Sequence, residues 1–493
     1  MKAQGRQWVW AIAALLLFAL AFQGSRALFA PDEGRYTAVA LEMLSSGDWI
    51  HPRLHQEVPH YTKPPLTYWM LATALNLGGS NEWAARAPNA LLFSASVWML
   101  WRLGRRLVPA QPVLPALVYA TFVFPYAASN LITTDTLLAA TELLAMWGFV
   151  EVWWSDSRGA RLSWGLVSAG GAALAFLTKG PPGLLPLAAA VLFVGLSAGR
   201  SGFARVWSLR ALLLFVVLAS WWYLKVALDK PDLLRYFLVE EVWNRVASSA
   251  VHRNEQWYGG FAIYLPTLLI GSLPWTPWLF GGLVQALRER AGLWPRLRDD
   301  PELLLPLCWL LLPLLVFFVA RSRLPLYVLP SFAPLALLIA RRLAPLDFDS
   351  RRLRVLLGVW VLLLVFARAA PAWLDVPNDE RRLAAAVQAT VPRQVNEVAF
   401  VETAPRYGLR LYLGSSVERI NLPGTDAEPE SEPLNAELAE SEGCRLILVD
   451  SLELAALQHE LRRVTRAWRE LGQARGYRVL LIAGEDDCGL PAP

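Results

Sequence analysis

Apolar stretches long enough to cross a bilayer, roughly 17 to 25 residues each, recur from Trp8 to about residue 370. They predict spans at 8–28, 84–101, 112–130, 136–154, 162–178, 183–198, 211–228, 259–282, 303–320, 325–340 and 353–370, eleven in all. The stretch 29–83 is too polar to cross, yet it is patterned. Tyr36, Val39, Ala40, Met43 and Leu44 recur at helical spacing, which predicts a helix lying along the membrane interface. A second such helix is expected over Leu66 to Leu77, started by Lys63-Pro64-Pro65. A further outer loop, 229–258, mixes charged and aromatic residues and could hold another interfacial helix. Beyond Pro371 short alternating segments take over. Val398 to Val401, Leu409 to Tyr412, Arg445 to Val449 and Arg478 to Ile482 read as strands, with helices near Glu380 to Ala389 and Leu452 to Arg475. Gly424 to Glu442, rich in Glu and Pro, reads as a mobile loop. The expectation is a polytopic α-helical membrane domain over 1–370 and a small soluble α/β domain over 371–493.

Composition supports this division, because a chain of 493 residues that is 55% hydrophobic and carries 23 Trp lies far from the soluble profile. The arginines then orient it. If Lys2 and Arg6 are cytoplasmic, the clusters Arg102, Arg105 and Arg106, Arg158 and Arg161, Arg200 to Arg210, Arg288 to Arg298 and Arg341 to Arg354 all fall on the same side. An odd number of spans places the C-terminal domain outside. The net charge of +5 therefore reflects topology, and no nucleic-acid partner is expected. Ser25 and Ala27 resemble a signal-peptide cleavage site, but the apolar run is long for a signal, and a retained anchor is expected. Three Cys are too few for a disulfide framework. Cys308 lies inside a predicted span, Cys444 and Cys488 could pair outside, and no zinc-ligand spacing is present.

Candidate chemistry gathers in the outer loops. Pro-Asp-Glu-Gly-Arg-Tyr (31–36) sets two adjacent carboxylates just after the first span, where an acidic pair beside a bilayer needs water, a metal or a cation to offset it. Asp32 is a candidate base or merely a helix cap, with Glu33 a substitute. Lys63, Lys179, Arg245, Arg321 and Arg323 fall on the same face and could converge on a phosphate, or simply snorkel at span ends. Asp135 either caps the fourth span or joins them. Arg35, Tyr36, Tyr61, Glu240, Glu241 and Tyr327 complete the candidates. A transporter or flippase would concentrate ionisable groups near the midplane, often in repeated halves. Here the spans carry little charge, Glu142 among it, no repeat is evident, and an interfacial enzyme is favoured over a conduit.

At these residues the chain resembles the GT-C membrane glycosyltransferases, in the branch that holds protein O-mannosyltransferases and the bacterial lipid A aminoarabinose transferase. The matching pieces are 31–36, Ser-Gly-Asp-Trp-Ile (46–50), Tyr-Thr-Lys-Pro-Pro (61–65), Thr-Thr-Asp (133–135), Thr-Lys-Gly-Pro-Pro-Gly (178–183), 236–245 and 321–327. The resemblance implies an inverting transferase that takes a sugar from a polyprenyl-phosphate donor at the outer face of the cytoplasmic membrane. Its acceptor would be a lipid, glycan or protein, with loops 29–83 and 229–258 forming the active site. It implies Asp32 as the acidic catalytic position, and Lys63 and Arg245 as holders of the lipid phosphate. The chain departs from aminoarabinose transferases at Thr62, where they look like having Glu, and at Glu240-Glu241, where they carry Glu-His. No cofactor is fixed by this pattern, a divalent metal stays possible, and lipid A as acceptor stays open.

Overall fold

The hydrophobic pattern folds as helices whose interruptions follow the polar and proline positions. The computed structural model describes residues 2–55, 58–235, 254–288, 293–346, 350–391, 395–425, 431–439, 445–464 and 468–482. These form two compact units. The first comprises Met1–Phe22, Thr62–Thr67 and Ala87–Arg368, and the second Gln23–Tyr61, Tyr68–Arg86 and Ala369–Pro493. As far as Lys179 the chain forms helices α1 (Lys2–Leu20), α2 (Asp32–Ser46), α3 (Leu66–Gly78), α4 (Glu82–Leu107), α5 (Leu114–Ala120), α6 (Val123–Ala128), α7 (Asp135–Trp154) and α8 (Arg158–Lys179).

Among the described residues, six helices are long and apolar enough to cross a membrane: α7, α8, Leu209–Asp229, Pro301–Val319, Pro325–Leu343 and Arg351–Ala372. Trp8–Leu20, Pro181–Ser197 and Gly259–Gly271 are shorter apolar helices. The predicted span 8–28 is helical only to Leu20. The Ala19 carbonyl at its end accepts from Arg368 Nη1 at 2.8 Å, so a buried guanidinium completes a helix terminus that lipid would leave unpaired.

The predicted span 112–130 is likewise not one helix. It breaks into α5 and α6 where Phe122 turns extended (φ −64°, ψ 138°). Trp360 Nε1 donates to Thr121 O at 2.9 Å, which satisfies the broken backbone internally, and Trp275 Nε1 donates to the Thr121 hydroxyl at 2.8 Å. The predicted span 259–282 divides between Gly259–Gly271 and Thr276–Arg288, where Pro274 has no N–H to continue the ladder. The loop expected over 229–258 is described only at its ends, with Asp232–Arg235 helical.

In the second unit a six-stranded sheet forms in the order β3-β2-β1-β4-β6-β5. Its strands are β1 (Glu397–Val401), β2 (Ser416–Asn421), β3 (Glu432–Pro433), β4 (Arg445–Asp450), β5 (Trp468–Ala474) and β6 (Tyr477–Ile482). The neighbours β1, β2 and β4 are parallel, while β6 runs antiparallel to β4 and β5 antiparallel to β6. Every residue of β1 is buried, as expected of a central parallel strand covered on both faces.

Three sequence expectations change here. Leu409 to Tyr412 belongs to a short helix, Leu409–Leu413, that Gly414 ends at φ 73°; the strand beside β1 is Ser416–Asn421 instead. The long helix expected to Arg475 stops at Arg463, and 468–474 pairs with β6. Within 424–442, Glu432–Pro433 forms β3 and Leu434–Ala439 a helix.

The segments around α2 join the α/β part of this unit through specific bonds. Arg410 pairs with Glu42, and Tyr412 Oη donates to Glu82 Oε1 at 2.8 Å. Arg381 Nη2 reaches the same carboxylate oxygen at 2.6 Å.

Candidate active site

Helix α2 places the acidic pair. Pro31 holds the cap position without a side-chain bond, so Asp32 is the first helical residue and not the cap. Consecutive residues lie 100° apart around a helix, and the two carboxylates separate accordingly. The Asp32 side chain is 52% exposed and accepts from Arg35 Nη2 at 2.6 Å. Glu33 turns inward. Its oxygens accept from Arg26 Nη1 and Nη2 at 2.5 and 2.9 Å, from Arg86 Nε and Nη2 at 3.1 and 2.8 Å, and from Phe29 N–H at 2.9 Å. Burial pushes the Glu33 carboxyl up, but Arg86 and Arg26 outweigh it and hold its pKa at about 2. Glu33, expected as a substitute catalytic carboxylate, is therefore a buried, ionised strut. Tyr36 stacks on Tyr68 at 5.7 Å between ring centroids, and Tyr61 is buried. In this unit Asp32 is the acid of the pair left accessible.

The first unit gathers a second set. Asp135 opens α7, Lys179 ends α8, and Lys179 Nζ donates to Asp135 Oδ1 at 2.5 Å. Asp135 therefore pairs with a cation, and no cap bond forms at Thr134. Lys179 Nζ also stands 4.4 Å from the Tyr327 ring centroid. Thr-Lys-Gly-Pro-Pro-Gly makes this possible: Gly180 ends α8 at φ 72° and ψ −144°, a conformation that L side chains resist, and Pro181 starts the next turn. Two turns below Asp135, Glu142 lines a small, mostly apolar cleft with Trp309, Phe317 and Ser331.

Lys63 Nζ donates to its neighbour's Thr62 carbonyl at 2.7 Å. Arg321 is exposed. Arg323, expected to hold a phosphate, is instead 5% exposed and donates to the carbonyls of Asn254, Gln256 and Phe318 at 2.8 to 3.0 Å. It clamps the chain. Arg245, Glu240 and Glu241 lie outside the described residues, as do Cys444 and Cys488.

Arg26 and Arg86 were not foreseen from the sequence. Arg86 falls inside the predicted span 84–101, where a cation demands a buried partner, and that demand was the available signal. Among the described residues no three His, Cys, Asp or Glu side chains converge to hold a metal. What the residues offer is an accessible carboxylate on a rigid helix start and, in the other unit, a lysine oriented by an acid and an aromatic face.

Known proteins share both the sequence and the fold. Residues 62–224 match the family described as dolichyl-phosphate-mannose-protein mannosyltransferase. The undecaprenyl phosphate-alpha-4-amino-4-deoxy-L-arabinose arabinosyl transferase 1 of Sodalis glossinidius is 35% identical over 321 residues, 64% of this chain and 55% of that one. The corresponding transferase of Aeromonas hydrophila is 31% identical over 350 residues, 70% of this chain and 61% of that one. The chain thus spans just over half to about three fifths of these relatives, at 55% and 61%.

Among solved structures, ArnT from Cupriavidus metallidurans bound to undecaprenyl phosphate is similar with a TM-score of 0.76 at 20% identity, covering 97% of this chain and 98% of that one. Its apo state gives 0.77 at 19%, covering 98% of both. That likeness is one of fold, and it makes this chain a helical membrane protein. In sequence the chain is thus similar to these arabinosyl transferases and, over residues 62–224, to the mannosyltransferase family, and in fold it is similar to ArnT.

Proposed function

We propose that the chain transfers a sugar from a polyprenyl-phosphate donor to an acceptor at the outer face of the cytoplasmic membrane, with inversion at the anomeric carbon. The observation that carries this reading is the division of labour at the start of α2. Glu33 is enclosed by two arginines, while Asp32, one residue earlier, keeps an accessible carboxylate. Relatives of this chain bear the name of an arabinosyl transferase that uses an undecaprenyl-phosphate sugar. A polyprenyl-phosphate pentose or hexose is the donor class that fits.

In one displacement the acceptor oxygen forms a bond to the anomeric carbon while the bond to the phosphate oxygen breaks. A hydroxyl acceptor gives its proton to Asp32, whereas a phosphate acceptor arrives already ionised and asks only for orientation. The polyprenyl phosphate leaves with its charge met by Lys63, Lys179, Arg321 and Arg245. Asp135 and Tyr327 orient Lys179 for that task. Eleven spans over 1–370, an N-terminus in the cytoplasm and a periplasmic α/β domain over 371–493 complete the reading.

The test is transfer of radiolabelled sugar from polyprenyl-phosphate donors to extracted lipids, glycans and envelope proteins, by wild type and Asp32→Asn. Transfer that the variant loses while its unfolding temperature holds supports the reading and identifies the acceptor. Equal transfer by both removes Asp32 from the chemistry. Absence of transfer by wild type with every donor turns attention to lipid transport.

A further inference from the structure

The backbone just before Asp32 is held from the α/β part of its own unit. Leu28 N–H donates to Tyr412 Oη at 2.9 Å, Glu380 N–H donates to Leu28 O at 3.2 Å, Ala30 N–H donates to Asn378 O at 3.4 Å, and Phe29 bridges Asp379 in antiparallel register. At the centre of this contact lies the Glu380 carboxyl. It is seated against Gly34, two residues after Asp32, and Gly408. A β-carbon on Gly34 would lie 2.4 Å from Gly408 N and 2.7 Å from Glu380 Oε2, so only glycine lets the helix come this close. Glu380 is 1% exposed, and neither carboxyl oxygen has a hydrogen-bond partner of ordinary geometry.

The carboxylates of Glu33 on α2 and Asp379 on its own helix repel a negative charge on Glu380; the Arg406 guanidinium and the Gly408 amide favour one. Burial is the largest influence and brings the Glu380 carboxyl up to about 8. Near neutral pH the group that touches α2 is therefore an uncharged acid, and at alkaline pH it becomes a buried anion beside Glu33.

We propose that Glu380 is a positioning residue for the transfer reaction, whose carboxyl, packed between Gly34 and Gly408, locks the first turn of α2 and thereby aims Asp32. Ionisation of Glu380 loosens that turn. The soluble domain then has a stated task, to hold the catalytic helix from outside the membrane. The inference rests on the reading of Asp32 given above, and the experiment separates the two.

Purified full-length wild type, Glu380→Gln and Glu380→Ala are compared in two measurements. The first is the transfer rate from about pH 6 to pH 9.5, resolved into kcat and KM for the donor. Wild type should lose kcat as pH rises through about 8, with KM little changed. Glu380→Gln, uncharged and of the same shape, should match wild type at pH 7 and stay level to pH 9.5. Glu380→Ala should lose kcat at pH 7 by on the order of 100-fold, the cost of a displaced catalytic group. The second is hydrogen exchange of the amides of residues 28–36, corrected for the intrinsic pH dependence. Exchange should quicken above about pH 8 in wild type and not in Glu380→Gln. A wild-type alkaline limb retained in Glu380→Gln, or exchange at 28–36 that ignores pH in wild type, overturns the proposal. The exchange result stands even if no donor supports transfer, so failure of the transferase reading cannot be mistaken for failure of this one.

Discussion

Glu33→Gln keeps the outline of the side chain and removes the charge that Arg26 and Arg86 enclose. In the native fold the carboxylate accepts from Arg26, Arg86 and the Phe29 amide and is 3% exposed. Its pKa falls from 4.5 to about 2, a shift equivalent to about 3 kcal/mol of preference for the ionised state in the fold. The neutral amide leaves both guanidiniums buried without a counter-charge, and breaking such a pair from one side typically costs about 3 to 5 kcal/mol. The two routes agree on about 3 kcal/mol or somewhat more, a drop in Tm of roughly 5 to 10 °C. Because the folded pKa is depressed, this stabilisation is complete above the ordinary value of 4.5 and is lost as pH falls toward 2. The penalty of Glu33→Gln should therefore be full at pH 7 and shrink in acid. Thermal unfolding of the detergent-solubilised chain at several pH values measures it. A cycle with Arg86→Met should return a coupling energy of about 3 kcal/mol. A Glu33→Gln variant that unfolds with wild type at pH 7 yet transfers no sugar would refute the reasoning, since it would make Glu33 the working carboxylate and Asp32 the bystander.

Asp32→Asn should behave in the opposite way: it should leave Tm unchanged, because its ion pair with Arg35 is half-exposed and worth about 1 kcal/mol or less, and lower transfer to a hydroxyl acceptor by roughly 10² to 10⁴, read from the radiolabel assay. Lys179→Met should raise the donor KM and also destabilise the first unit, since it leaves Asp135 buried without its cation; adding Asp135→Asn should recover part of the lost Tm but none of the donor affinity. Gly34→Ala should destabilise the second unit by about 1 to 3 kcal/mol, because its β-carbon meets backbone at Gly408 rather than a side chain that can move, a loss that thermal unfolding would show.

The helices over 32–46, 66–78, 135–154 and 158–179 were legible because a helix buries its stripe at a period that the chain itself displays. The parallel strands β1 and β4 were legible for the same reason, as short apolar runs between turns. Boundaries failed where satisfaction came from afar. Nothing near Thr121 announces that Trp360 will complete its broken backbone or that Trp275 will bond its hydroxyl, and nothing near Leu20 announces Arg368. Residues 468–474 looked helical until β6 supplied a partner, because strand pairing is a non-local bond.

At the acidic pair the same distinction holds. Sequence alone determined that Asp32 and Glu33 stand where a helix starts after an apolar span; that both are helical, so that their side chains diverge by a helical step, came from the structure. The sequence could not decide which of them faces water. Arg26 and Arg86 made that choice by enclosing Glu33 from 7 and 53 residues away, and Glu380 met Gly34 across a gap that only two glycines leave open. Local periodicity is written in neighbouring residues and can be read from them. The protonation and exposure of a carboxyl depend on which distant groups share its volume, and only the tertiary structure brings those groups together.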